Sequence, residues 1–309
     1  MLELSFTAAD VAHTRFAFSP LWEVVASVLV LRHEPELHAP WVARASARLR
    51  GFDWRLLADL VPDRVIPGFL CPPPTTPFPD LALELATLRA TPAEQIAAEL
   101  APIPEITMTP PSADAVADVV AEYWDRALAP FWPRIQTLLE ADVHYRAHRM
   151  TTGGAQALFT DLNPQVRWTD ERLYIAHRTV RASRGLRGKG LLLVPSAFAW
   201  PRVFSITVPG WQPTLRYPPR GLGMLWTTDR PPVSAALTAV LGATRARLLA
   251  ELTHPASTKD LAARLALSPG GVNQHLKALL AAGLLSAHRT GHAVLYARTT
   301  TAEALLKPA

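Results

Sequence analysis

A single cysteine, Cys71, serves all 309 residues, so an intramolecular disulfide and a multi-thiolate metal site are both excluded and a reducing compartment is expected. Long hydrophobic runs are equally scarce. The most apolar stretch, Leu21 to Leu31, is interrupted by Glu23 and stops at Arg32, well short of the roughly 20 residues that span a bilayer. The opening MLELSFTAAD carries acids where a signal peptide carries bases, so a cytoplasmic location is expected and no membrane contact. No nucleophile elbow, dinucleotide-binding glycine fingerprint or Cys/His cluster occurs. The basic, glycine-rich ASRGLRGKG at 182–190 invites comparison with a phosphate-binding loop, but position 183 is Ser where a Walker A motif needs Gly. Lys189 is also followed by Gly rather than Ser or Thr. A hairpin loop with a solvated basic tip is the better reading, with auxiliary phosphate contact as the other. No cofactor is expected.

What the chain does have is apolar bulk and localised charge. With 49% hydrophobic residues it can build about two domains with a substantial core. Its 31 bases and 26 acids give +5, yet the segment from Val233 to Ala309 alone holds 8 bases against 3 acids, leaving 23 of each sign in residues 1–232. The basic excess is thus concentrated in the last quarter, as a footprint for a polyanion would be.

That quarter contains STKDLAARLALSPGGVNQHLKALLAAGLLSAHRTGHAVLYAR at 257–298. Ser257 and Asp260 are spaced as a capping box. Leu261 and Leu265 then face inward, and Ala266 to Ser268 form a short turn. Ser268 can cap a second helix that Pro269 opens. Val272, Leu276, Leu279 and Leu280 recur on one face of it, and Gly283 with Leu284 supplies a left-handed C-terminal stop. The opposite face presents Gly270, Asn273, Gln274 and Lys277. Asn and Gln match the donor and acceptor pair on the adenine edge, and Lys supplies charge to phosphate. Leu285 to Arg289 and His292 to Arg298 read as two strands about Thr290 and Gly291, with Arg289 and His292 at the tip.

This segment, with the helix around Arg245 to Leu252 that precedes it, resembles the winged-helix domain of the ArsR family of bacterial transcriptional regulators. The resemblance implies a recognition helix containing Asn273, Gln274 and Lys277, flanked by Ser257, Thr258, Lys259, Ser268 and Gly270. It implies a wing of Arg289, Thr290, Gly291 and His292. His275 is open to two readings, a base-contacting residue or a histidine packed against the preceding helix. More weakly, AHTRFAFSPLWE and GKGLLLVPSAFAWP resemble the N-terminal region fused to ArsR-type helices in regulators of high-GC bacteria. Double-stranded DNA is the implied partner, read by a homodimer at a palindromic operator, with a repressor role.

Two departures bear on sensing. Some ArsR-type regulators bind metal through a cysteine pair on the first helix of the turn, and here TKDLAARLAL has no thiol; others use a long terminal helix, for which TTAEALLKPA is too short. An organic or protein effector acting on residues 1–232 is therefore expected in place of a metal. Nine tryptophans, Trp22 through Trp226, could wall a small-molecule pocket or simply fill a core.

The same region, 1–232, reads as helical at first, then β-rich, with proline-marked breaks near 71–79 and 101–111. Thr91-Pro92-Ala93-Glu94 has capping-box spacing for a helix through Leu100. Ala113 to Met150 is helical with interruptions at Pro130 and Pro133. From Val166 onward RLYIAHRTVR, LLLVPSAF, VFSITV and TLRY alternate as strands of a small antiparallel sheet. The chain is accordingly expected to be α+β, a mixed helical and antiparallel-β region followed by a winged helix-turn-helix at 233–309. The competing reading is an enzyme or metal-binding protein that uses the winged helix for docking. Its best support is Glu140, His144 and His148, spaced to share one helix face as zinc ligands, against which stands the simpler reading of a solvated polar face.

Overall fold

The apolar run that is too short for a membrane becomes a helix, Pro20–His33, buried on every side from Pro20 to Val30. In the computed structural model the chain divides into two compact units, residues 1–226 and 227–309. The structure describes all residues except 178–179, 209, 227–234, 253–254, 291–292 and 307–309.

The first unit begins with β1 (Leu2–Ser5), α1 (Ala8–Ala12), β2 (Arg15–Phe16) and α2 (Pro20–His33). Then come α3 (Ala39–Arg48), α4 (Arg55–Leu60), α5 (Leu81–Arg89), α6 (Ala93–Leu100), α7 (Ala113–Ala127) and α8 (Trp132–Phe159). Six strands follow: β3 (Val166–Thr169), β4 (Arg172–Ile175), β5 (Ala182–Gly185), β6 (Leu192–Pro195), β7 (Phe204–Ile206) and β8 (Thr214–Tyr217). One core gathers the helices around Trp22, Trp41 and Tyr123. A second joins both sheets to the end of α8 through Leu4, Leu158, Phe159, Leu173 and Tyr217.

The α+β class holds, but a single antiparallel sheet does not describe the strands. Two four-stranded sheets are present, ordered β3-β4-β1-β5 and β2-β6-β8-β7. Antiparallel pairs (β3–β4, β1–β4, β7–β8) coexist with parallel ones (β1–β5, β2–β6, β6–β8). Alternation identifies strands but not their neighbours. ASRG, read from sequence as part of a hairpin loop, is itself strand β5, paired with β1 from the chain's start. LLLV goes to the other sheet, and β6 and β8 are buried at every residue, as parallel strands covered on both faces require.

One further expectation is corrected, and one choice between two readings is decided. The helix Ala93–Leu100 forms, but Pro92 occupies its N-cap without a side-chain bond, so Thr91 to Glu94 is not a capping box. Trp22, Trp41 and Trp226 are core residues, with Trp54, Trp124 and Trp132 packed against them, so these rings fill space rather than wall a pocket. A shallow recess of about 700 Å³ does exist, and its lining is charged: Arg48, Asp118, Glu122, Asp125 and Arg126 with Ala121.

Helix α8 breaks at Gly153 and Gly154, the latter at φ 62° and ψ −158°, a region open essentially to glycine alone. The break redirects the chain so that Leu158 and Phe159 enter the second core. Arg146, fully buried, ties the two arms together. Its guanidinium donates to Asp142 Oδ2 at 3.3 Å, to Asp161 Oδ1 at 2.8 Å and to the carbonyls of Leu158 and Asp161. Tyr217 Oη and Arg220 N donate to Asp142 in turn, at 2.8 and 3.0 Å.

Two other buried acids fasten α2. Glu84 accepts from Ser19 Oγ and Leu21 N at the helix start, and Glu23 accepts from Ser196 Oγ, Ala197 N and Phe198 N. Burial pushes Glu23 up to about 8 and Glu84 up to about 7, against the lowering effect of those bonds. The folded chain therefore keeps protons that the unfolded chain releases above about 4.5, and stability falls as pH rises through that window, by up to about 1.4 kcal/mol per pH unit for each group. His38, pushed down to about 4 by burial, has the opposite slope but acts only as pH falls below about 6.5. His177, also pushed down by burial, shares the slope of His38, and both effects fade as pH rises past about 6.5, so the carboxyls dominate toward pH 8. The melting temperature is expected to fall between about pH 6.5 and 8, and Glu23→Gln to flatten the fall. A wild-type slope retained by the variant in circular-dichroism melts would mean that Glu23 is ionised throughout.

Candidate nucleic-acid interface

The second unit comprises α9 (Ala235–Leu241), α10 (Ala243–Glu251), β9 (Ala256–Ser257), α11 (Thr258–Leu265), α12 (Pro269–Ala281), β10 (Leu285–Thr290), β11 (Ala293–Arg298) and α13 (Thr300–Leu306). Its core is built from Leu248, Leu261, Leu265, Val272, Leu276 and Tyr296 among others.

At the start of α11, Ser257 Oγ accepts from Asp260 N at 3.3 Å, and Asp260 Oδ2 accepts from Ser257 N at 3.1 Å and Oγ at 2.7 Å. This is the reciprocal cap that the spacing predicts. The bonds from Ser257 hold the Asp260 carboxyl below its usual range. The helix ends at Ala266 in the left-handed conformation, and Leu267 N donates back to Ala262 O at 3.0 Å. Ser268 Oγ then accepts from Gly271 N at 3.2 Å, with Pro269 opening α12. The turn is therefore fixed at both ends by side-chain oxygens.

Helix α12 buries Val272, Leu276 and Leu279. Leu280, expected on the same face, is 38% exposed, because it lies about 100° on from Leu279 around the helix. Gly283, at φ 69°, donates to Leu280 O, and Leu284 N donates to Leu279 O, both at 3.0 Å. These bonds satisfy the last carbonyls and tuck Leu284 into the core. Strands β10 and β11 pair from Leu285↔Arg298 to Thr290↔Ala293 as an antiparallel wing.

The scaffold leaves Gly270, Gln274 and Lys277 exposed, at spacings that place them in one stripe, with Asn273 half-buried at its edge. Gly270 has open space where a Cβ would stand, so another molecule can approach the helix backbone closely. Lys259 is exposed and Thr258 half-buried at the start of α11. The oxygens of Ser257 and Ser268 serve as caps. His275 is half-buried on the flank of the apolar stripe, and its Nδ1 is buried with no hydrogen-bond partner among the described residues. Arg289 and Thr290 lie at the end of β10, whereas Gly291 and His292 lie outside the described residues.

A model of a helix-turn-helix domain matches residues 243–286. These residues form a DNA-binding helix-turn-helix. The match runs from α10 into β10 and fits the type shared by ArsR and other winged regulators. A second model, a family of unknown function (DUF5937), matches residues 80–222, from α5 to the strands of the first unit. No curated protein and no solved structure matches the chain.

The metal candidates do not assemble. Glu140, His144 and His148 are all exposed on α8, Glu140 accepts from Gln136 Nε2 at 2.8 Å, and among the described residues no three His, Cys, Asp or Glu side chains could hold an ion. Sequence reasoning took their neighbour Arg146 for part of a solvated face and passed over Asp142, yet the two form an ion pair with both side chains fully buried. It also missed β9, whose Ala256 and Ser257 pair with Tyr296 and Leu295 and so lock the wing to the start of α11. Two residues are too few to show alternation.

Proposed function

We propose that the protein is a homodimeric, ligand-responsive transcriptional regulator of the ArsR type that represses from a palindromic operator in the bacterial cytoplasm. The supporting observation is the exposed stripe of α12, Gly270, Gln274 and Lys277 with Asn273 at its edge, on a helix capped at its start and closed at its end. In this reading Asn273 and Gln274 pair with base edges, while Lys277, Lys259 and Thr258 hold phosphates. The wing, Arg289 to His292, reaches the backbone or the minor groove. Residues 1–232 contribute dimerisation and response to an organic or protein effector, which acts through its different affinities for DNA-competent and incompetent dimers.

One short recognition helix reads too few bases to find an operator, so two must act together, with half-sites about one helical turn apart. Light scattering on the full chain is expected to give a dimer at micromolar concentration, and genome-wide binding-site mapping a twofold-symmetric motif. A monomer both free and on DNA would overturn the reading.

A further inference from the structure

Residues 1–232 carry equal numbers of acids and bases, and many of these pair with one another, but one group of cations stands outside those pairs. Strand β5 is the edge of the first sheet. Arg181 precedes it, Arg184 lies on it, and Arg187 and Lys189 follow in the next turn, all exposed. None of these four has an ion-pair partner among the described residues.

The turn that presents them is firmly held. Lys189 N donates to Leu186 O at 3.2 Å across Arg187 and Gly188, both at positive φ (55° and 80°). His13 Nδ1 donates to Gly188 O at 2.7 Å, Gly190 N to Asp10 Oδ1 at 3.1 Å, and Gln212 Nε2 to the carbonyls of Lys189 and Gly190. Gly190 lies against the His13 backbone, where a Cβ has no room. Gln212 also accepts from Arg15 Nη2 at 3.3 Å, which brings a fifth exposed cation to the same turn. The acids nearby are spoken for. Asp10 is buried and bonded to Thr7 and Gly190, and Glu3 pairs with Arg172 at 2.5 Å.

We propose that this ridge of Arg15, Arg181, Arg184, Arg187 and Lys189 is a second contact surface for the DNA phosphate backbone. The proposal rests on the reading that the winged helix binds duplex DNA. Four of the five cations are arginines, whose planar forks match phosphate oxygens, and their backbone is already ordered. Phosphate contact needs no base sequence, so the ridge adds affinity and salt dependence rather than specificity. Charge on an open edge also discourages strand pairing, but either sign achieves that, and this difference makes the proposal testable.

The test is binding of the full-length protein to a mixed-sequence duplex of about 40 base pairs, titrated between about 50 and 200 mM salt. The triple variant Arg184→Gln, Arg187→Gln, Lys189→Gln is expected to reduce the slope of log K against log salt by about 2 to 3, and Arg184→Gln alone by about 0.9. Arg184→Lys with Arg187→Lys should keep the wild-type slope, and the single Arg184→Gln variant guards against a triple variant that fails to fold. Wild-type binding with an unchanged slope in the glutamine variants would overturn the second surface and leave the regulator reading intact. No DNA binding by the wild type would overturn both. An unchanged DNA slope with lost binding to polyglutamate would assign the ridge to an acidic protein instead and so overturn the DNA contact.

Discussion

Replacing Asn273 and Gln274 together by alanine is expected to lower affinity for the mapped operator by at least about 30-fold, because each bidentate base contact contributes about 1–3 kcal/mol of discrimination. The loss should fall on specific sites and spare mixed-sequence DNA. Gln274 is exposed on the side of α12 away from Val272, Leu276 and Leu279, and Asn273 is half-buried at the edge of that side, so the substitution removes two amides and leaves the buried apolar residues in place. Alanine also favours the helix more than asparagine does. Lys277→Ala supplies the contrast: every sequence should weaken alike, with a salt slope smaller by about 0.9. A gel-shift titration in which the double variant matches wild type on the operator would show that a different face of the unit reads the bases.

Arg146→Met is expected to cost about 3–5 kcal/mol of stability, the range for breaking one side of a buried ion pair. The guanidinium has no access to water and makes four bonds to Asp142, Asp161 and Leu158. Its removal leaves the Asp142 carboxylate buried with only Tyr217 Oη and Arg220 N as donors. Since the stranded charge is the larger part of that cost, adding Asp142→Asn should recover some of the loss, a coupling that a double-mutant cycle measures. Chemical denaturation showing less than about 1 kcal/mol for Arg146→Met would mean that water reaches Asp142 and takes over the missing bonds.

The winged helix was legible because its signals are local. Ser257 with Asp260, Ser268 with Pro269, and Gly283 with Leu284 each act within a few residues, and each meets the partner its spacing predicts. Leu280 was misplaced because two adjacent leucines cannot be ranked by periodicity when the buried stripe is narrow. In the first unit the deciding contacts are distant in sequence. Nothing in ASRG announces that it will lie beside LELS, and nothing in EADVHYRAHRM distinguishes the exposed His144 and His148 from the buried Arg146 until Asp161 and Tyr217 fold against it. A basic residue in a helix is read as solvated by default. Arg146 reverses that because the break at Gly153 and Gly154 returns the chain to it.

The pairing of β1 also sets an order of events during synthesis. Leu2–Ser5 leave the ribosome long before their partners Arg172–Ile175 and Ala182–Gly185 are translated. At roughly 5–20 residues per second the first strand waits on the order of ten seconds or more with both edges bare. Chaperones have that interval in which to bind it. The winged helix, assembled from contacts between near neighbours in the chain, needs no such wait, since local contacts form fastest.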